Sequence, residues 1–583
     1  MMQKQISFDI RIFVFPVSFF LFYQFIGCAL SIFDISFTSL ITISAFASLL
    51  GSFILIRNNG DKIVLSNKQL LLTIFLIGTA TFLFILRLNW GIFDFICPTG
   101  ILGITQQISV GKFPATYLSF PEITMNYHQG FLFISGTFSY VLGVQPALVL
   151  KMAFIFSFIL IAIGLVGLFL FHQSKFYLWP LILFILISSI SPHNFHDLGL
   201  FNYVNVFEYL ISNSWPLGLL GIILILFIIS NNFEINRYYY PFLLITLSTS
   251  TANATVFSVL VMTMGAMICW NMKKFFVDKT FLPPTLFFFS LAVIYIVPKH
   301  LPTAFLIGEN YDAVQTKFKW IEFDFIQYLK FSGKYFLLIN PLTFVGLFVA
   351  LRNLKARASQ VEIFISFLLI ISFSFPMVIY LPNVQAWDNI HKFAILDIFL
   401  SIVLVGFYLT KGNKYQTFII SGTIFSALCS VPADIDLFLH RTSSNFNHLI
   451  VPNVFNKQVI NYLKGVKEKK TIFGFKSDYD QKCNENGFSY ISQYAGFSFS
   501  NGYFPEVFLL SKGVENRYQE SKDWWVLNDS FSNRIKSLKS GDFIILKSED
   551  RSEFITKLHA TNIEFLPTQL IVFENFSLFK SRE

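Results

Sequence analysis

Long apolar runs divided by short polar stretches fill the chain from its N-terminus to about residue 433. A helix that crosses a bilayer needs about 20 mostly apolar residues. On that rule crossings fall near 12–33, 36–56, 69–86, 149–171, 176–190, 215–230, 240–253, 254–271, 281–297, 335–351, 361–380, 392–410 and 415–432. The pair at 240–271 reads as two short helices around Ser248-Thr249-Ser250-Thr251. Basic residues precede the first run, as in a signal peptide. That run is long enough to span and no small-residue cleavage site follows it, so it reads as the first transmembrane helix. The stretch 130–147 is apolar too, but it opens on Gly130 and is broken by Gly136, Gly143 and Pro146. If it crossed, every later loop would change sides. It is expected to be a re-entrant or interfacial helix, which needs protein or a wet cavity around its backbone. A cavity is therefore expected beside the external segment 87–129.

Past residue 434 the pattern changes to that of an ordinary soluble fold. Residues 455–468 read as a helix, and Thr471–Phe475, Asp542–Leu546 and Leu570–Phe579 as strands, with a helix over Arg551–Leu558 between two of them. The expected fold is an α-helical polytopic membrane protein with about 13 transmembrane helices over 1–433. An external loop at 87–148 would hold the re-entrant helix, and a small α/β domain over 434–583 would lie outside the cytoplasm.

Charge sets the orientation. One set of loops carries Arg57, Lys62 and Lys68, then Lys175, Arg237, Lys273, Lys274, Lys279, Arg352, Lys355, Arg357, Lys411 and Lys414. The opposing loops at 32–35, 191–214 and 381–391 hold no Lys or Arg. Cytoplasmic loops carry that excess, which puts the N-terminus in the cytoplasm and the C-terminus beyond the cell (inner or plasma) membrane. The segment 298–334 departs from the rule with five lysines, but its acids Glu309, Asp312, Glu322 and Asp324 point to a folded amphipathic element.

Composition agrees: 54% of residues are hydrophobic, 13% are charged and the mean hydropathy is +0.61, too apolar for a soluble chain of 583 residues. Membrane lipids are thus expected partners. The net charge of +9 sits largely in short loops, with no basic stripe interleaved with aromatics, so nucleic acid is not. The five cysteines show no paired spacing, which supports neither a disulfide framework nor a zinc ribbon. No phosphate-binding G-x-x-x-x-G-K-[ST], no G-x-S-x-G and no H-E-x-x-H occurs.

Candidate chemistry gathers in the external loops. Asp94 lies just past the third crossing, where burial or the nearby Arg87 would tune a carboxylate for base catalysis; it also reads as an interfacial acid held by Arg87. Glu122 and His128 flank Asn126 and Tyr127, the mixture of polar and aromatic groups that binds sugars. In Ser191-Pro-His-Asn-Phe-His-Asp197 a helix would put His193, His196 and Asp197 on one face. Such a face serves a divalent metal or a polar substrate. Asp388, His391 and Lys392 stand at the start of the twelfth crossing. Asp388 and Lys392 suit an ion pair on one helix face, and Lys392 with His391 suits a phosphate at the membrane surface. Asp397, deeper in that helix, needs a partner within the bundle.

With these residues in view, the chain resembles the GT-C superfamily of membrane glycosyltransferases, closest to its large bacterial members. The likeness rests on Asp94 in a long external loop and on Gly111-Lys-Phe-Pro114 with Tyr127-His-Gln-Gly130 before a re-entrant helix. Trp387-Asp-Asn389 with Lys392, and Gly496-Phe-Ser-Phe-Ser-Asn-Gly-Tyr503 in the C-terminal part, add to it. Asp523-Trp524-Trp525 is not the Trp-Trp-Asp-Tyr-Gly of oligosaccharyltransferases, so transfer to asparagine is not implied. The resemblance implies a polyprenyl-phosphate-linked sugar donor and inverting transfer on the external face to a glycan, lipid or protein acceptor. Asp94 would be the base. Glu122, His128, His193, His196, Asp197 and Asp388 would bind sugar or acceptor, and His391 with Lys392 the leaving phosphate. The competing readings are a non-enzymatic translocator of lipid-linked sugars and a glycan polymerase or ligase.

The orientation is open to direct test. Cys483 is expected to react with a membrane-impermeant thiol reagent in spheroplasts. The topology fails if residues 434–583 resist external protease until the cells are lysed.

Overall fold

The computed structural model describes residues 5–57, 62–88, 101–115, 129–172, 174, 176–187, 210, 215–230, 235–270, 289, 325–356, 358–379, 387–409, 415–443, 454–466, 471–476, 491, 498–499, 524–564 and 567–580. Strand β1 (Gln5–Asp9) leads into α1 (Arg11–Leu30), and α2 (Phe37–Arg57) returns to β2 (Lys62–Ser66), which pairs antiparallel with β1 from Gln5↔Ser66 to Asp9↔Lys62. Next come α3 (Asn67–Leu88), α4 (Ile101–Ser109), α5 (Gly130–Leu142), α6 (Pro146–Phe171), α7 (Trp179–Leu186), α8 (Trp215–Ser230), α9 (Ile235–Ser250) and α10 (Ala254–Trp270). Then follow α11 (Phe325–Leu338), α12 (Pro341–Ala356), α13 (Gln360–Ile379), α14 (Trp387–Leu409) and α15 (Gln416–Ser443).

Local chemistry marks several helix starts. Ser66 and Gln69 form a capping box before α3: the Ser66 amide donates to Gln69 Oε1 at 3.0 Å and the Gln69 amide to Ser66 Oγ at 3.3 Å. Before α13, the Ser359 amide and hydroxyl donate to Glu362 Oε2 at 3.1 and 2.5 Å. Asn340 caps α12 by accepting from the Leu342 amide at 2.9 Å, with Pro at the first helical position.

Among the described residues six helices are long and apolar enough to cross a membrane: Arg11–Leu30, Phe37–Arg57, Asn67–Leu86, Pro146–Phe171, Gln360–Val378 and Lys392–Leu409. Their length and composition suggest a membrane protein. Their burial separates core from rim. The apolar window of α14 is 94% buried, against 28% for α2 and 22% for α3. The outer helices show Phe46, Leu49, Phe53, Leu71, Phe75 and Phe82 outward, an apolar surface that water would not tolerate and lipid does. α14 packs on α7, α12 and α13, while α8 lies between α1, α6 and α9. Small residues set the closest approaches. A Cβ on Gly164 of α6 would sit 2.6 Å from Phe13 Cζ of α1 and 2.8 Å from Ile223 Cγ2 of α8.

The stretch 130–147 does not form one crossing. α5 is 13 residues long, about 20 Å by helical rise, and stops at Gly143 in the left-handed region (φ 65°) before Pro146 opens α6. It packs on α4, α1 and α6. The two short helices expected at 240–271 are present as α9 and α10.

Other expectations need correction. The run 335–351 is broken at Ile339-Asn340, where Asn340 ends one helix and caps the next, so its first residues belong to α11. The boundary at residue 433 falls inside α15, which continues to Ser443. The crossing at 281–297, apart from residue 289, lies outside the described residues, as does the end of that at 176–190. Asp397 of α14 finds its partner in α11: Tyr335 Oη donates to its Oδ2 at 3.5 Å, the outer limit of a hydrogen bond.

The C-terminal part holds α16 (Val454–Lys464), α17 (Asn528–Ser537) and α18 (Arg551–Ala560). Its sheet comprises β3 (Thr471–Gly474), β4 (Ser498–Phe499), β5 (Phe543–Lys547), β6 (Leu570–Val572) and β7 (Phe576–Lys580), in the order β4-β3-β5-β7-β6. β3 pairs parallel with β4 and β5, and β7 antiparallel with β5 and β6. The run 570–579 is thus a hairpin, turning at Phe573–Asn575, where the Phe573 amide meets the Phe576 carbonyl at 2.8 Å. A second core collects Phe475, Trp524, Phe531, Phe554 and Phe579 on one side of this sheet. Trp524 and Phe531 stack with centroids 5.7 Å apart.

Gly164→Leu should overpack the meeting of α1, α6 and α8 and destabilise the fold by about 1–3 kcal/mol, read as a lower melting temperature in detergent. An unchanged melting temperature would contradict the close approach.

Candidate functional site

Where the described chain flanks the segment 116–128, α1, α5 and the α9–α10 junction meet in a polar knot. α9 ends at Ser250 and α10 begins at Ala254, with Asn253 as its cap: Oδ1 accepts from the Val256 amide at 3.0 Å. A break between two apolar helices frees backbone carbonyls that hydrocarbon cannot satisfy. Gln24, buried in α1, meets one of them. Its Nε2 donates to the Ser248 carbonyl at 2.5 Å and to the Leu21 carbonyl at 3.0 Å, while its Oε1 accepts from Thr251 Oγ1 at 2.6 Å. The Thr251 carbonyl in turn accepts from the Gly130 amide at 3.2 Å. A Cβ on Gly130 would collide with Gln24 Oε1, so only glycine lets the start of α5 reach this point.

One residue earlier, Gln129 Oε1 accepts from the Ala115 amide at 3.1 Å. Residues 115 and 129, which flank 116–128 in the chain, are therefore neighbours. α4, just before it, lies against α5, where Gly136 brings the helices so close that a Cβ would stand 2.5 Å from Ile108 Cβ. The knot thus anchors both ends of the segment that holds Glu122 and His128.

Most of the sequence-derived site residues lie outside the described residues: Asp94, Glu122, His128, His193, His196 and Asp197. His128 adjoins Gln129 in the chain. Asp388 and His391 belong to the first turns of α14, and their side chains lie outside the description as well. Their spacing with Lys392, four and one residues away, places all three at one end of that helix. Lys392 is half-buried. Among the described residues there is no group of three His, Cys, Asp or Glu placed to hold a metal ion, and the triplet His193, His196 and Asp197 is not among them. Cys269 and Cys429 are free thiols.

Two polar groupings were not singled out from the sequence. The first is the knot itself: Gln24 in an otherwise apolar run was its visible signal. The second follows β3, where Lys476 pairs with Glu553 and lies 3.6 Å from Asp550. The Glu553 carboxylate, as hydrogen-bond acceptor, raises the Lys476 ammonium above its usual range, while burial raises the Asp550 carboxyl against the pull of Lys476. These three groups answer one another at a half-open surface, which makes them a brace for the β3–α18 corner.

No family model matches the chain, and no curated protein matches it.

Gln24→Leu keeps the volume but removes the amide from the Ser248 carbonyl and the Thr251 hydroxyl, which then have only their own long 3.4 Å contact. The expected loss is about 1–3 kcal/mol, read as a lower melting temperature, with faster proteolysis in 116–128 as its specific signature. Unchanged stability and protease resistance would remove the knot as an anchor.

Proposed function

We propose that the chain is a GT-C-type inverting glycosyltransferase, with about 13 membrane crossings and an extracytoplasmic C-terminal domain. In this reading it transfers a sugar from a polyprenyl-phosphate-linked donor to an acceptor on the far side of the membrane. The observation that carries it is the meeting of residues 115 and 129 at the polar knot, beside two short helices that pack together between longer ones. That is where the resemblance expects an external loop to meet a re-entrant element, and the loop between the two described ends carries Glu122 and His128 in sequence. Asp94 takes the proton of the acceptor hydroxyl, as a positioned carboxylate does in general base catalysis. Lys392, with His391, neutralises the phosphate that leaves on the lipid, at the headgroup level where a cation costs least. No nucleotide-binding fingerprint occurs in the sequence, which supports a donor delivered through the bilayer.

The test uses purified protein and matched donors carrying the same sugars, one set nucleotide-linked and one polyprenyl-phosphate-linked. Transfer is expected from the lipid-linked set alone. Asp94→Asn should lower it by about 10²–10⁴-fold while leaving thermal stability within about 1 kcal/mol, and Lys392→Gln should weaken donor use more than acceptor use. Equal transfer from nucleotide sugars would end the lipid-donor reading. Absence of transfer with energy-independent movement of labelled lipid between leaflets would establish a translocator instead.

A further inference from the structure

α3 and α6 touch through Phe84 and Phe158, whose rings stack with centroids 4.3 Å apart. Between that contact and β2 the two helices leave an apolar groove of about 520 Å³. Its walls run along one face of α3 from Leu70 to Ile85 and along α6 from Ile159 to Leu170, with Ile63 and Leu65 of β2 at one end. Thr73 and Thr81 line it, but their hydroxyls are wholly covered, so the groove meets them through carbon. Gly78 makes the space: a Cβ there would meet nothing within 4 Å.

The dimensions identify the occupant. From Leu70 to Ile85 the groove runs about 22 Å along the helix axis. Spread over that length, about 520 Å³ gives a mean section of about 24 Å². A transmembrane helix about 10 Å across is too wide to enter the groove and could only lie over its open side, an arrangement that the dimer outcome of the experiment below detects. A single file of methylenes at contact distances of about 4 Å needs about 20 Å² or less. The length suits a chain lying along the bilayer normal within and slightly beyond one leaflet, whose apolar half is about 15 Å deep.

Charge at the β2 end chooses the headgroup. Arg57 at the end of α2 and Lys68 at the start of α3 are exposed there, while Asp9 on the strand paired with β2 is taken by Arg11, whose Nη2 lies 2.6 Å from it. The charge pattern of the loops puts this end in the cytoplasmic leaflet, where anionic lipids gather. We infer that the α3–α6 groove is a binding site for one straight acyl chain of an anionic phospholipid, with its phosphate between Arg57 and Lys68. This site lies on the opposite side of the bilayer from the proposed transfer chemistry and does not depend on that reading.

The experiment is native mass spectrometry of the full chain, purified in mild detergent and offered phosphatidylglycerol or phosphatidylcholine with identical palmitoyl and oleoyl chains. The wild type is expected to keep one phosphatidylglycerol per chain and to prefer it several-fold over phosphatidylcholine. Arg57→Gln with Lys68→Gln should abolish the preference. Gly78→Leu starts from a Cβ in open space and uses a better helix former, so it should keep the wild-type melting temperature yet lose the lipid at least tenfold. Gly333→Leu, at a glycine of α11 that is equally open but far along the chain from the groove, should keep it. Equal retention by Gly78→Leu, or no retention by the wild type, overturns the site. Displacement of phosphatidylglycerol by an equal concentration of a polyprenyl phosphate overturns the assignment to phospholipid. A dimer that disappears in Gly78→Leu overturns it in favour of a protein contact.

Discussion

A backbone carbonyl in hydrocarbon has no water to turn to, and each one left alone costs several kcal/mol. The break between α9 and α10 is where this chain meets that constraint most directly, because Ser248 and Thr251 present carbonyls among apolar helices. One glutamine on α1 and one amide at the start of α5 answer them. α1 must therefore pass close to the break, and α5 must begin beside it. The loop before α5 is consequently brought to the same spot. The arrangement of the short helices follows from satisfying polar atoms, more than from attraction between apolar faces, which lipid would solvate equally well.

The rest of the membrane part relies on shape. Aromatic rings fill the core in staggered pairs, such as Phe169 with Phe407 at 4.6 Å and Phe375 with Phe393 at 5.0 Å. Serines at 44, 48 and 52 give α2 a narrow face among its broad outward phenylalanines. Small and large side chains thus alternate between what the helices show one another and what they show the lipid.

How much of this was readable beforehand depended on the length of the signal. Runs of twenty apolar residues announce their helices unambiguously, and α1, α2, α3, α6, α13 and α14 lie within a few residues of where hydropathy puts them. The division at Asn340 was not readable by hydropathy, since Ile339 and Leu342 keep the average high while a single side chain ends the helix. The hairpin at 570–580 was missed for a similar reason: Phe573 keeps the run apolar through the turn. The knot was half legible, for Gln24 stands out in its run, but only the fold reveals that its partner is 224 positions away. The external acids and histidines were chosen by chemistry alone, and six of them lie outside the described residues.

The ladder between β1 and β2 carries a rule of parity. Five residue pairs join a strand before α1 to a strand after α2, so both must lie on the same face of the bilayer. The chain between them crosses an even number of times: both helices traverse, or neither does. No arrangement in which one of them lies along the surface while the other spans is compatible with the ladder. The order of synthesis gives the rule a direction. β1 is made before either helix and has no partner until residues 62–66 emerge, by which time α1 and α2 have both been committed. Closure of this small sheet thus ties the fates of α1 and α2 together, and it holds the N-terminal segment beside the point where α3 sets out.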